Sequence, residues 1–251
     1  MNTKASQTSK TSQSCKKENR LRFVTAASLF DGHDAAINIM RRILQANGAE
    51  VIHLGHDRSV DEVALAAVQE DAHGIALSSY QGGHCEYFGY LVDRLADLGR
   101  AELPVFGVGG GTITDAEIAE LHGRGVARIY SVEDGRQMGL EGMIRDMMSR
   151  ADRTLVKGMD SPAAGALDRN PAALARTLSW LEALGGRRDA GDALAEAHLA
   201  SVRASLSAIE SHTVVLGVTG TGGAGKSSLT DELVRRILAH FPERNLAVLS
   251  V

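Results

Sequence analysis

The chain has 251 residues, 44% of them hydrophobic, and a formal net charge of −4, which suits one or two folded domains with a real core. With an acidic balance and no basic stripe it lacks the electrostatic footprint of a nucleic-acid binder. No apolar stretch approaches the roughly 18 residues that a membrane-spanning helix needs. Its two cysteines, Cys15 and Cys85, lie far apart and form neither a metal nor a disulfide pattern, so a reducing, cytoplasmic setting is expected.

Residues 1–20 are rich in Ser, Thr, Lys and Gln and have no apolar segment, which excludes a secretory signal. They read as a disordered tail, with a transit peptide as the alternative. From 21 to 151 short apolar runs alternate with helical patterns. Strands are predicted over 22–27, 49–54, 74–77, 105–108 and 127–130, and helices over 35–46, 60–70, 86–99, 115–122 and 136–149. Ser59 with Glu62 and Thr114 with Glu117 read as capping boxes, and Gly48 stands where a helix C-terminus favours glycine. Five strands alternating with helices predict an α/β, flavodoxin-like doubly wound parallel sheet of order 2-1-3-4-5. Residues 152–211 carry no strand pattern and read as a helical linker, with helices over 172–184 and 192–209.

Past the linker, the apolar run 213–218 leads into Gly220–Ser227, a complete G-x-x-x-x-G-K-S phosphate loop, and 229–238 continues with helical spacing. A second strand is expected over 245–251, so residues 212–251 read as the start of a P-loop domain. Backbone N–H groups of Gly222, Gly223, Ala224, Gly225, Lys226, Ser227 and Ser228 are placed to cradle phosphates at a helix N-terminus. The Lys226 ammonium would reach the β/γ-phosphates and the Ser227 hydroxyl would hold Mg²⁺. These residues leave GTP and ATP equally open.

Ligands of an open parallel sheet gather beyond the carboxyl ends of its strands. There the first strand is followed by Asp31-Gly32-His33-Asp34, the third by Ser78-Ser79-Tyr80-Gln81-Gly82-Gly83 and the fourth by Gly109-Gly110-Gly111. A carboxylate beside an imidazole can fix its tautomer and strengthen it as a metal ligand; a solvated or capping histidine is the plainer alternative. Glycine at successive strand ends lets a bulky ligand approach the backbone. His53, His56, and His84 with Cys85 complete no four-ligand zinc set at workable spacing in the sequence.

The loops resemble those of the cobalamin-binding domain of adenosylcobalamin-dependent mutases and methionine synthase, whose signature is D-x-H-x-x-G, then S-x-L, then G-G. Here Asp31-x-His33-x-x-Ala36 is followed by 41 residues, then Ser78-Ser79-Tyr80, then 28 residues, then Gly109-Gly110. Ala36 and Tyr80 depart from the family's glycine and leucine, which alters the pocket around the cofactor's tail. The resemblance implies that His33 replaces the cofactor's own benzimidazole as the lower cobalt ligand, with Asp31 behind it. It implies that Ser78 bonds the displaced base, that Tyr80, Gly82, Gly83 and Gly109–Gly111 line the tail, and that Ile129 and Tyr130 lie beside it. The helix expected over 172–184, the second linker helix and Val215–Gly220 together resemble the start of the G-protein chaperones that service cobalamin mutases, and a cobalamin domain joined to a G domain is the layout of the fused isobutyryl-CoA mutases.

That layout implies adenosylcobalamin, GTP and Mg²⁺ as cofactors. It implies a GTPase that helps load cobalamin, and a radical interconversion of isobutyryl-CoA and n-butyryl-CoA. The acyl-CoA is expected in a barrel that follows the G domain, in a protein that dimerises with itself. The chain is accordingly expected to be a front piece that binds cofactor without turnover and frays beyond about residue 211. A non-catalytic cobalamin carrier or sensor is the alternative, although no helical cap precedes residue 21. A P-loop ATPase with a receiver domain is a third reading, opposed by Ser78-Ser79-Tyr80 where a phosphoacceptor Asp would stand.

Overall fold

The structure is a computed structural model that describes residues 20–153, 170–208 and 213–249. The expected tail therefore lies outside the described residues but for Arg20. So do parts of the expected linker and the last two residues of the expected final strand. The chain divides into two units, Met1–Val202 and Arg203–Val251.

In the first unit, five parallel strands, β1 (Arg22–Ser28), β2 (Glu50–Arg58), β3 (Gly74–Ser78), β4 (Val105–Val108) and β5 (Arg128–Tyr130), form one sheet of order β2-β1-β3-β4-β5. This is the doubly wound arrangement expected from the alternation. Helices α1 (Asp34–Ala46), α2 (Val60–Gln69), α3 (His84–Asp97), α4 (Asp115–Gly123) and α5 (Val132–Ala151) connect and follow the strands. Because side chains alternate along a strand, Val24 and Ala26 join one core and Phe23 and Ala27 the other. The first core is completed by Val63 and Ala67 of α2, Phe88 and Leu91 of α3 and Leu121 of α4. The second is completed by Ile37, Met40 and Leu44 of α1 with Ile144, Met147 and Met148 of α5. Apolar residues on both faces of each central strand explain why those strands read as continuous hydrophobic runs.

Both expected capping boxes form: the Ser59 and Thr114 hydroxyls accept the Glu62 and Glu117 amides, and each carboxylate accepts its cap residue's N–H in return. Ser131 and Asp134 make a third box at the start of α5. Gly48 follows α1 with φ 81°, a left-handed conformation that glycine adopts without a Cβ penalty. Three of these elements differ from their expected bounds by more than one residue. β2 continues to Arg58 through two shifts in its register with β1. α3 begins at His84, since Gly83 is its N-cap. α5 begins at Val132 and breaks at Gly139, whose φ 64° and ψ 169° belong to a region essentially reserved for glycine.

Two further helices, α6 (Pro171–Asp189) and α7 (Ala193–Ser207), lie in the described part of the segment read as a helical linker. The Asn170 side chain caps α6, which opens on Pro171, a residue suited to a position whose N–H has no helical partner. Trp180 and Leu184 of α6 pack with Ala195 and Leu199 of α7. In the second unit a helix, α8 (Lys226–His240), follows the glycine-rich loop. The strands expected over 213–218 and 245–251 are not formed among the described residues. Val214 and Val215 are each 90% exposed; strands are held by ladder bonds and a covered apolar face, and neither is supplied here. No helix of the described residues is long and apolar enough to cross a membrane.

Candidate functional site

Ala27 of β1 and Val108 of β4 flank Ser78 of β3 in one row, and Val108 is in turn paired with Tyr130 of β5. The four strands thus end together, and their following loops share one edge of the sheet. Asp31 lies at the centre of that edge. Its amide donates to the Ser28 carbonyl at 3.0 Å, tightening the turn after β1, and the residue is 1% exposed.

The Asp31 carboxylate accepts three hydrogen bonds. Oδ1 takes the His33 amide and the His33 Nδ1–H, both at 2.8 Å, and Oδ2 takes the Tyr80 amide at 2.7 Å. An ionised carboxylate only accepts, so Nδ1 carries the proton and Nε2 is left with a lone pair. The His33 side chain is 75% exposed. A buried anion therefore aims a basic nitrogen outward, the arrangement that strengthens an imidazole ligand. The Tyr80 bond joins the first loop to the third across the sheet edge. Burial, with the Asp31 carboxylate second, pushes the Tyr80 phenol above its usual pKa. Its ring lies 5.8 Å from that of His33.

Beneath Asp31 the Ser28 hydroxyl donates to that of Ser79 at 2.8 Å, and the Ser79 amide donates to the Val108 carbonyl at 2.9 Å. The Gln81 side-chain amide donates to the Leu29 carbonyl. Ser28, Ser79 and Gln81 were not singled out by the motif; their signal is a polar residue ending an apolar run, as Ser28 does in β1. Ser78 Oγ is buried without a hydrogen-bond partner, so a ligand acceptor or donor arriving there would meet an unsatisfied hydroxyl.

The glycines divide into two kinds. A Cβ on Gly109 would stand 2.6 Å from the Ser79 carbonyl oxygen, and one on Gly110, whose φ is +54°, would stand 2.9 Å from the Tyr80 ring. Around Gly32, Gly82 and Gly111 a Cβ would meet nothing within 4 Å. The first kind closes the floor between β3 and β4; the second leaves the rim open. Asp34 opens α1. Ile129 and Tyr130 are 1% and 2% exposed, Ile129 in the first core and Tyr130 in the second. The Tyr130 hydroxyl donates to Asp146 of α5 at 2.9 Å. Asp31, His33, Ser78, Tyr80 and the glycines are thus brought to one edge, whereas Ile129 and Tyr130 pack beneath it.

Cobalamin would need an outward-facing nitrogen lone pair, a free polar group in a buried slot and an open rim. His33 Nε2, Ser78 Oγ and the unobstructed Gly32, Gly82 and Gly111 would supply them in turn. The donor set fits the group.

In the second unit, Gly223 and Gly225 have φ of 75° and 77°, and Gly225 is the N-cap of α8. Lys226 Nζ donates to the Gly220 and Thr221 carbonyls, each at 2.8 Å, folding the ammonium over the loop. Ser227 and Ser228 lie in the first turn of α8, where backbone N–H groups have no helical acceptor.

The family described as "B12 binding domain" matches residues 21–135. Fused isobutyryl-CoA mutase of Geobacillus kaustophilus is 53% identical over 240 residues, 93% of this chain and 21% of that protein. The protein of the same name from Cupriavidus metallidurans is 55% identical over 238 residues, 93% of this chain and 20% of its own length. That from Paraburkholderia xenovorans is 68% identical over 131 residues, 52% of this chain and 10% of the relative. The chain spans about a fifth of the length of the first two relatives. Residues 21–135 are thus similar to the B12-binding domain family, and most of the chain's length is similar in sequence to fused isobutyryl-CoA mutase.

Proposed function

We propose that the sheet edge binds adenosylcobalamin with His33 as the axial ligand of cobalt, as part of a fused isobutyryl-CoA mutase. The observation that carries this is the Asp31 carboxylate, which takes the His33 Nδ1–H and leaves Nε2 facing out. Asp31 holds the imidazole in one tautomer and orientation. Ser78 receives the cofactor's displaced base, Gly109, Gly110 and Gly111 form the floor and far rim of the groove, and Gly82, Gly83 and Tyr80 its near side. Gly32 gives the first loop its open approach, and Asp34 starts the helix behind it. Ile129 and Tyr130 support the floor from below. When bound, the cofactor supplies a radical carbon-skeleton rearrangement between isobutyryl-CoA and n-butyryl-CoA. The protein's residues position it and exclude water.

We also propose GTP and Mg²⁺ at the second unit's loop, on the G-x-x-x-x-G-K-S sequence of Gly220–Ser227 and the helix that follows it. There Lys226 would exchange its two carbonyl bonds for the β/γ-phosphates, and Ser227 would hold the metal. We assign GTP hydrolysis there a chaperone role in cofactor loading. We further propose that acyl-CoA binds in a separate barrel domain of the whole enzyme. The whole enzyme would work in the cytoplasm as a homodimer.

Titration of the chain with cobalamin, followed in the visible spectrum, tests the site. Asp31→Asn is expected to weaken binding about 10–100-fold, and His33→Ala to change the bound cofactor's spectrum through loss of the axial nitrogen. An unchanged spectrum with His33→Ala would rule out the ligand assignment.

A further inference from the structure

At the other end of the third loop, His84, Cys85 and Glu117 bring a nitrogen, a sulfur and a carboxylate oxygen within 4.8 Å of one another. His84 and Cys85 begin α3, and Glu117 stands in the first turn of α4. Sequence spacing hides this group, because α3 and α4 meet only through the fold. We propose that His84, Cys85 and Glu117 bind one divalent cation of the zinc class, separate from the cobalt site.

Three observations carry the assignment. The His84 side chain is 6% exposed, and its Nδ1 lies 2.9 Å from the Gln81 carbonyl oxygen. A carbonyl only accepts, so Nδ1 carries the proton and the neutral ring's lone pair is on Nε2. A backbone carbonyl behind a ligating imidazole is a common support in zinc sites.

That Nε2 is buried with no hydrogen-bond partner, yet Glu117 Oε1 lies 3.3 Å away. Two lone-pair atoms facing each other at this distance repel unless a positive charge joins them. A proton on Nε2 would supply it as an ion pair with Glu117, but would leave Cys85 without a role. A cation bound off that line, toward Cys85, serves both atoms.

Glu117 is also fixed in place. Its Oε2 accepts the Thr114 amide and hydroxyl, both at 2.7 Å, which leaves Oε1 for the cluster. Zinc bonds of about 2.0–2.3 Å in a tetrahedron put ligand atoms about 3.5 Å apart, so side-chain adjustments of about an ångström close the shell. Nitrogen, thiolate and carboxylate together suit zinc rather than calcium or magnesium, and water would complete four-coordination. On binding, the Cys85 thiol releases its proton to solvent, and its sulfur forms the bond to the cation with no change of oxidation state. The cation would pin the start of α3 to that of α4, and with them the end of the loop carrying Gly82 and Gly83.

The test uses the full chain carrying Cys15→Ser, free of cobalamin and stripped with a chelator, with Co²⁺ as the probe. One equivalent should give the d–d bands of a four-coordinate ion and a near-ultraviolet thiolate-to-cobalt band, both removed stoichiometrically by Zn²⁺. Adding Cys85→Ser should abolish the thiolate band. Zn²⁺ should slow alkylation of Cys85 at least tenfold, and in Glu117→Gln the Zn²⁺ concentration needed should rise at least tenfold. The alkylation readout keeps Cys85 in place and does not depend on how well the serine variant folds. Absence of the thiolate band, or an alkylation rate indifferent to Zn²⁺, would overturn the proposal.

Discussion

At the scale of single residues, Asp31 does what no sequence spacing could display. Its two oxygens tie together its own loop, through His33, and the loop after β3, through Tyr80. The Tyr80 contribution comes from the backbone N–H, so replacement of the family's leucine by tyrosine leaves this bond in place and changes only the ring beside His33 and Gly110. The two kinds of glycine make opposite predictions. Gly109→Ala forces a methyl against the Ser79 carbonyl and Ile113 and should cost about 1–3 kcal/mol, as overpacking does. Gly111→Ala meets nothing and should alter stability by less than about 0.5 kcal/mol, while weakening cobalamin binding through its place on the rim. Urea unfolding and cobalamin titration of the two variants check this; equal destabilisation by both would contradict the division into floor and rim.

At the scale of elements, β1 and β3 are joined at their starts by His73. The Arg22 amide donates to His73 Nδ1 at 3.1 Å, and the His73 amide donates to the Arg22 carbonyl at 2.8 Å. Nδ1 is thus an acceptor. Burial lowers the imidazole's pKa from 6.5 to about 4; Arg153 and Arg22 push it the same way, while Asp71 and Asp152 oppose them. Above pH 6.5 the ring is neutral both folded and unfolded. Below it the unfolded chain takes up the proton first, so stability present above about pH 6.5 is lost as the pH falls toward 4. His73→Asn keeps an acceptor near Nδ1 and removes the titration, so its unfolding free energy should fall less between pH 7 and 4.5 than that of the parent. An identical fall, measured by urea unfolding at the two pH values, would contradict the assignment.

The elements themselves were largely legible. Apolar runs located all five strands, their order was expected as the commoner one for a five-stranded doubly wound sheet, and Ser-x-x-Glu and Thr-x-x-Glu located two helix starts. The box at Ser131 escaped because it uses Asp134 where the signature has Glu or Gln. The extension of β2 to Arg58 escaped because register shifts against β1 are set by pairing between strands. Within the site, the motif spacing found Asp31, His33, Ser78 and the glycines. The Ser28–Ser79 bond and the His84–Glu117 approach are contacts across the fold, which local pattern does not encode.

For the molecule as a whole, the two units carry separable expectations. The first has a five-stranded sheet with a core on each face, and the loops at its candidate edge are held by bonds among its own residues. The second has a glycine-rich loop followed by α8, and no strand is formed over its apolar run 213–218. In a chain that continues through a full nucleotide-binding domain, Lys226→Ala should lower GTP affinity at least 100-fold in calorimetric titration, because the ammonium is the loop's one fixed positive charge on the phosphates. Undiminished GTP affinity would contradict the nucleotide assignment.

The central claim is that His33 supplies the nitrogen on cobalt, and electron paramagnetic resonance of the bound cobalt(II) form of cobalamin tests it most directly. The axial nitrogen splits the cobalt lines into triplets when it is ¹⁴N and into doublets when it is ¹⁵N. Protein labelled with ¹⁵N-histidine and loaded with unlabelled cobalamin should give doublets, and His33→Ala should lose them. Triplets that persist in the labelled protein would mean that the cofactor's own base remains on the cobalt, and the account of this site would fail.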